Sequence, residues 1–239
     1  MSIWDRIGDF VTRFSASAKA GIADVVEAVR TMFEGDAELR RRVAFSVAMI
    51  ALSAKMAKAD GVVTQDEIRA FREIFSVPPE EARNVARLYD LAKQDVAGFE
   101  AYAERMASLC GTGHKNCAML EDILDGLFHI AKADGVLHER EEEFLKRVSE
   151  IFRIEDDHYQ TILARHLDVG EADPYRVLGI DRGRPFADVR SHYRRLIAHN
   201  HPDRLIARGL PEEFIRIATT RVAAINAAYE TIEKAARAA

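Results

Sequence analysis

The chain has 239 residues, of which 48% are hydrophobic and 31% charged, with a formal net charge of −5. That balance is ordinary for a globular protein, and the length suits one large or two small domains. Charge is uneven: from Asp173 onward 12 Lys and Arg face 8 Asp and Glu, while the rest has 22 against 31. An acidic body with a basic C-terminal module fits a single partner-binding surface. It does not fit a nucleic-acid protein, which carries a denser basic stripe.

Residues 1–34 place Trp4, Ile7, Phe10, Val11 and Phe14, then Ile22, Val25, Val26, Val29 and Phe33, at helical spacing. Asp5, Arg6, Asp9, Arg13, Lys19 and Asp24 interrupt the stretch. It holds no apolar run of about 18 residues, so it is not expected to span a membrane. It also lacks the small-residue cleavage pattern of a secretory signal. The expected location is cytoplasmic or peripheral to the inner membrane. An amphipathic segment of this kind serves self-association, as in a homodimer, or packs on the rest of the chain. It can also lie on a membrane surface or remain a flexible tail.

The next region, residues 35–168, repeats internally. Ala57-Lys58-Ala59-Asp60-Gly61-Val62 returns as Ala131-Lys132-Ala133-Asp134-Gly135-Val136, 74 residues later. An apolar helical run precedes each copy: Val43, Val47, Ile50, Ala51 and Ala54 in the first, Leu120, Ile123, Leu124, Leu127 and Phe128 in the second. An acid-rich helix follows each, over Asp66–Phe75 and Glu139–Phe152. Pro79–Lys93, Ala97–Leu109 and Asp156–Leu167 also have helical period. No segment alternates as a strand would. The spacing predicts an all-α bundle of about seven helices.

Glu67 and Glu141 stand seven residues beyond Asp60 and Asp134. Two readings compete. If the repeats pack about a pseudo-twofold axis, the four carboxylates converge into an oxygen site for Ca²⁺ or Mg²⁺. Alternatively, Asp-Gly stops a helix, and Thr64-x-x-Glu67 forms a capping box in which side chains satisfy free backbone N–H groups. Capping is the preferred reading, although His138 is a poor N-cap for the second copy. Cys110 and Cys117 bracket His114. Zinc wants four ligands and no fourth is evident, so two thiols near helix ends in a reducing compartment are expected.

The last region, residues 169–239, has a distinct pattern. Asp173 suits an N-cap, Pro174 the first helical position and Gly179 a left-handed stop, which predicts a short helix over Pro174–Leu178. Phe186–Asn200 then places Phe186, Val189, Tyr193, Leu196 and Ile197 on one face. Ser191, Arg194, Arg195 and His199 fall on the open side, with Arg190 at its flank. Pro202 ends that helix and pushes His201 out of the α region, so His201 and Asp203 ride on an exposed bend. Pro211–Ile232 is a further, longer helix.

The order Asp173-Pro174-Tyr175-Arg176-Val177-Leu178-Gly179-Ile180, then His201-Pro202-Asp203, then Ile225-Asn226-Ala227-Ala228-Tyr229 resembles the J domain of DnaJ-type co-chaperones. That resemblance implies a small helical module with an antiparallel hairpin of its second and third helices. It implies docking on Hsp70 (DnaK) through Arg190, Tyr193, Arg194 and Arg195. His201, Pro202 and Asp203, with Arg204 adjacent, would stimulate the partner's ATP hydrolysis. The run Leu205-Ile206-Ala207-Arg208-Gly209-Leu210-Pro211 is longer than the loop of most J domains. In this it is similar to the DjlA subgroup. The doubled Lys-Ala-Asp-Gly pattern resembles TerB-like domains, whose paired acids are suspected of binding a metal.

The chain is expected to be no enzyme itself. It has no G-x-x-x-x-G-K-[ST] phosphate loop, and the exposed His and Asp lack a nucleophile or oxyanion partner. No cofactor is expected beyond the alternative of a divalent ion at the acidic repeat. The expected function is thus a co-chaperone whose bundle docks an unknown client or adaptor, or dimerises. The alternative is a TerB-type metal- or stress-sensing protein in which the J module is secondary.

Overall fold

The computed structural model describes residues 37–60, 83, 85, 86, 89, 90, 93, 98–108, 110, 115–167, 172–207 and 214–238. The expected N-terminal amphipathic segment, the helix over Asp66–Phe75, Glu67 and His114 lie outside these residues. Among the described residues all regular structure is helical. In chain order the helices are α1 (Ala37–Asp60), α2 (Phe99–Ser108), α3 (Ala118–Ala131), α4 (Glu139–Ile151) and α5 (Asp156–His166). There follow α6 (Pro174–Leu178), α7 (Phe186–His199), α8 (Pro202–Ala207) and α9 (Ile215–Ala238).

The all-α expectation holds, and burial explains its layout. Every described side chain of α1 from Val43 to Ala57 is buried, which makes α1 the central rod. A helix covered on all sides must be surrounded, and α2, α3 and α4 pack around it. The second repeat run, Leu120 to Phe128, supplies the facing surface of α3. Phe144, Leu145 and Val148 of α4 and Tyr159 and Ile162 of α5 complete this core.

A smaller core forms in the C-terminal module from Val177, Leu178, Val189, Ile225, Ala228, Tyr229 and Ile232. The expected apolar face of α7 lies against it, with Phe186, Tyr193, Leu196 and Ile197 partly buried there. Local signals act as their chemistry requires. Asp173 Oδ1 accepts from Tyr175 N–H at 3.1 Å, and Gly179 ends α6 in the left-handed region at φ +67°.

The two cores are not the two modules. Leu205 of α8 and Phe214, Ile217 and Ala218 at the start of α9 belong to the larger, bundle core. The lengthened connection after the His-Pro-Asp bend therefore begins and ends in apolar anchors. Gly126 in α3 makes room for one of them. A Cβ there would stand 2.9 Å from the Phe214 ring and 2.8 Å from Met49.

Cys110 and Cys117 are joined by a disulfide, which corrects the expectation of two thiols. Their Cα atoms lie 6.4 Å apart, within bridging reach. Sequence spacing alone did not reveal that the two cysteines meet. No described helix is long and apolar enough to cross a membrane.

Candidate functional site

The bend between α7 and α9 is an exposed, chemistry-bearing feature. Asn200 ends α7, and Pro202 opens the short helix α8 where its missing N–H is no loss. His201 stands between them. Its carbonyl accepts from Arg204 N–H at 2.9 Å and from Leu205 N–H at 3.2 Å. Its Nδ1 accepts from Asp203 N–H at 3.3 Å, which leaves Nε2 to carry the proton. The Asp203 carboxylate lies 3.6 Å from Nδ1, too far for a hydrogen bond. The side chains of His201 and Asp203 are 56% and 87% exposed, so both face solvent.

Beside the bend, Arg190, Arg194 and Arg195 of α7 and Arg204 of α8 are exposed. No described carboxylate pairs with them, so their positive charge is available to an acidic surface. Tyr193 behaves differently. Its ring stacks on Tyr229 with centroids 4.0 Å apart, and its hydroxyl donates to Asn226 Oδ1 at 3.0 Å. It locks α7 to α9 and reaches the surface only in part.

Behind the bend lies a buried ion cluster that the sequence reading missed. Arg221 of α9 donates from Nη2 to Asp122 Oδ1 at 2.8 Å and to Asp125 Oδ2 at 2.9 Å. Its Nε donates to the same Asp125 oxygen at 3.1 Å, and its Nη1 to Asn200 Oδ1 at 2.9 Å. His166 Nε2 lies 2.9 Å from Asp125 Oδ1. Burial works against charge on Arg221, but Asp125 and Asp122 overcome it and push its pKa up. Burial likewise opposes the Asp125 carboxylate, yet Arg221 and then His166 hold it well below the usual range. Nearby, burial and the Arg221 charge pull the Arg165 guanidinium down to about 10, against Asp125 and Glu121. Arg165 Nε donates to Val177 O at 3.2 Å, tying α5 to α6.

One signal in the sequence points to this cluster. Arg221 falls on the apolar stripe of Ile217, Ala218 and Ile225, and Asp122 and Asp125 sit in an otherwise apolar run. Ionisable residues at core positions need partners.

The acidic repeat is brought to no metal-like constellation among the described residues. Asp134 Oδ1 accepts from Val136 N–H at 3.0 Å and shapes the turn. Glu141 Oε2 accepts from His138 N–H at 3.0 Å, the capping reading for the second copy. Lys132 Nζ donates to His166 O at 2.6 Å, at the end of α5. Asp60 is the last residue of α1, and Glu67 is outside the described residues.

Residues 46–164 match the family described as tellurite resistance protein TerB. Co-chaperone protein DjlA of Coxiella burnetii is 29% identical over 199 residues, 75% of this chain and 73% of that protein. DjlA of Photobacterium profundum is 29% identical over 224 residues, 81% of this chain and 78% of its own. DjlA of Vibrio vulnificus is 25% identical over 240 residues, 84% and 81% respectively. No solved structure matches. The chain is a protein of the DjlA type, with a TerB-like helical bundle leading into a helical C-terminal module.

Proposed function

We propose that this DjlA-type chain is a J-domain co-chaperone that docks on an Hsp70 of the DnaK kind and stimulates its ATP hydrolysis. The exposed His201-Pro202-Asp203 bend beside Arg190, Arg194, Arg195 and Arg204, which no described carboxylate pairs, carries this reading. Unpaired surface cations steer a partner with an acidic surface and lose that effect as salt rises. A solvent-facing bend, rigidified by a proline and by bonds to the His201 carbonyl, then presents one imidazole and one carboxylate in fixed relation. The relatives named co-chaperones supply the second support. The TerB-like bundle acts as the module that holds a client or adaptor, or a second copy.

The test is single-turnover ATP hydrolysis by a matched DnaK. The wild-type chain should accelerate it, and His201→Gln should abolish the acceleration while the fold persists. Exposed substitutions of this kind change stability by less than about 0.5 kcal/mol. Arg194→Ala and Arg195→Ala should raise the concentration needed for half-maximal stimulation, and more so at low salt. Full stimulation by folded His201→Gln would make the bend a mere turn.

A further inference from the structure

We propose that the TerB-like bundle is part of the stimulating apparatus, because it braces the His-Pro-Asp bend through Arg221. This inference rests on the J-domain reading above.

The chain of contacts is short. Asp122 and Asp125 on α3 hold the Arg221 guanidinium on three of its N–H groups. The remaining fork reaches Asn200 Oδ1 at 2.9 Å. Asn200 immediately precedes His201, is buried, and donates its own Nδ2 to Leu196 O at 2.8 Å. One planar cation thus joins two bundle carboxylates to the last residue before the bend. Arginine suits this role, since a lysine cannot hold several fixed acceptors in one plane.

A second set of contacts acts on the other side of the bend. Leu205, two residues beyond Asp203, is buried in the bundle core, and so is Phe214 after the lengthened connection. His201 to Arg204 therefore lie between two anchors, both fastened to the bundle. The exposed docking residues remain uncovered in this arrangement, with His201 and Asp203 more than half exposed. The bundle holds the bend from behind and does not block it. Arg221 and Asn200 are positioning residues: they touch no partner, and they act through His201.

The experiment uses the full chain with DnaK and separates maximal stimulation from the half-saturating concentration. Asn200→Ala removes the acceptor; Arg221→Lys keeps the cation and loses the fork. Each should lower maximal stimulation by about tenfold, the scale of one hydrogen bond to a charged group, with half-saturation unchanged. The double variant should lose no more than the larger single loss, since both break one link. His201→Gln and wild type run alongside. A wild type that fails to stimulate refutes the co-chaperone reading itself. A stimulating wild type with folded, fully active Asn200→Ala or Arg221→Lys refutes the brace alone. A loss confined to half-saturation also refutes it, because the link would then serve docking. If neither variant folds, amide exchange in the wild type decides. Braced Arg204 and Leu205 amides should exchange as slowly as those of α9, and fast exchange overturns the proposal.

Discussion

Phe214 meets Phe45 edge-on, with ring centroids 4.2 Å apart and planes at 88°. One ring comes from the central helix of the bundle and the other from the chain just before the last helix of the C-terminal module. Both are buried, and the edge-to-face arrangement is the favoured geometry for such a pair. Phe214→Ala should therefore cost about 3–5 kcal/mol, as for other large core truncations. Because the ring closes the bundle core, circular dichroism and tyrosine fluorescence should report one coincident urea transition in the wild type. Two separated transitions would show that the modules fold independently.

The lengthened connection illustrates what the sequence could and could not reveal. The cap at Asp173, the stop at Gly179 and the apolar face of α7 were legible. All of these are local signals. Periodicity names the residues of a face but not what covers it. Leu205, Phe214 and Ile217 looked like module residues and turned out to belong to the bundle core. Arg221 was hidden for the same reason. Its partners lie 96 and 99 residues away in the chain, a separation no short pattern encodes.

The Arg221 cluster has a stability signature. Removing one member of a buried ion pair leaves an uncompensated charge and costs about 3–5 kcal/mol. Arg221→Met should show that loss at neutral pH by urea denaturation. A change below about 1 kcal/mol would mean that the cluster is hydrated and weak.

Asp125 sets the pH dependence of the same cluster. Its folded pKa is depressed, so its contribution is present above the unfolded value of about 3.9. The contribution is lost as pH falls from there through the folded value. Asp125→Asn lacks that titration. The stability gap between wild type and variant should be largest near neutral pH and should shrink below about pH 4. A gap that stays constant from pH 7 to about pH 2.5 would contradict the depressed pKa.

The disulfide closes a short loop, with a sequence separation of 7 between Cys110 and Cys117. Chain-entropy arguments give such a loop about 2–3 kcal/mol. The Cys110→Ser, Cys117→Ser double variant should lose up to that amount relative to the oxidised chain, and should match the wild type measured with excess reductant. A double variant as stable as the oxidised wild type would show that the bridge adds nothing to stability.

The acidic repeat separates capping from metal binding at one residue. Glu141 is buried, and its carboxylate accepts the His138 N–H that opens α4. Gln offers the same oxygen, so Glu141→Gln should keep the His138 bond and cost less than removal of the acceptor. Glu141→Ala removes the acceptor of the His138 N–H, which should cost about 0.5–2 kcal/mol, as for other lost caps. A metal ligand would behave otherwise, since Gln is a poor substitute for a carboxylate at a divalent ion. Calorimetry of the wild type with Ca²⁺, Mg²⁺ and Mn²⁺ decides between the two. Capping predicts no stoichiometric heat and the graded stability series above. Stoichiometric binding that Glu141→Gln abolishes would overturn it, and would move the TerB-like bundle from a scaffold to an ion sensor.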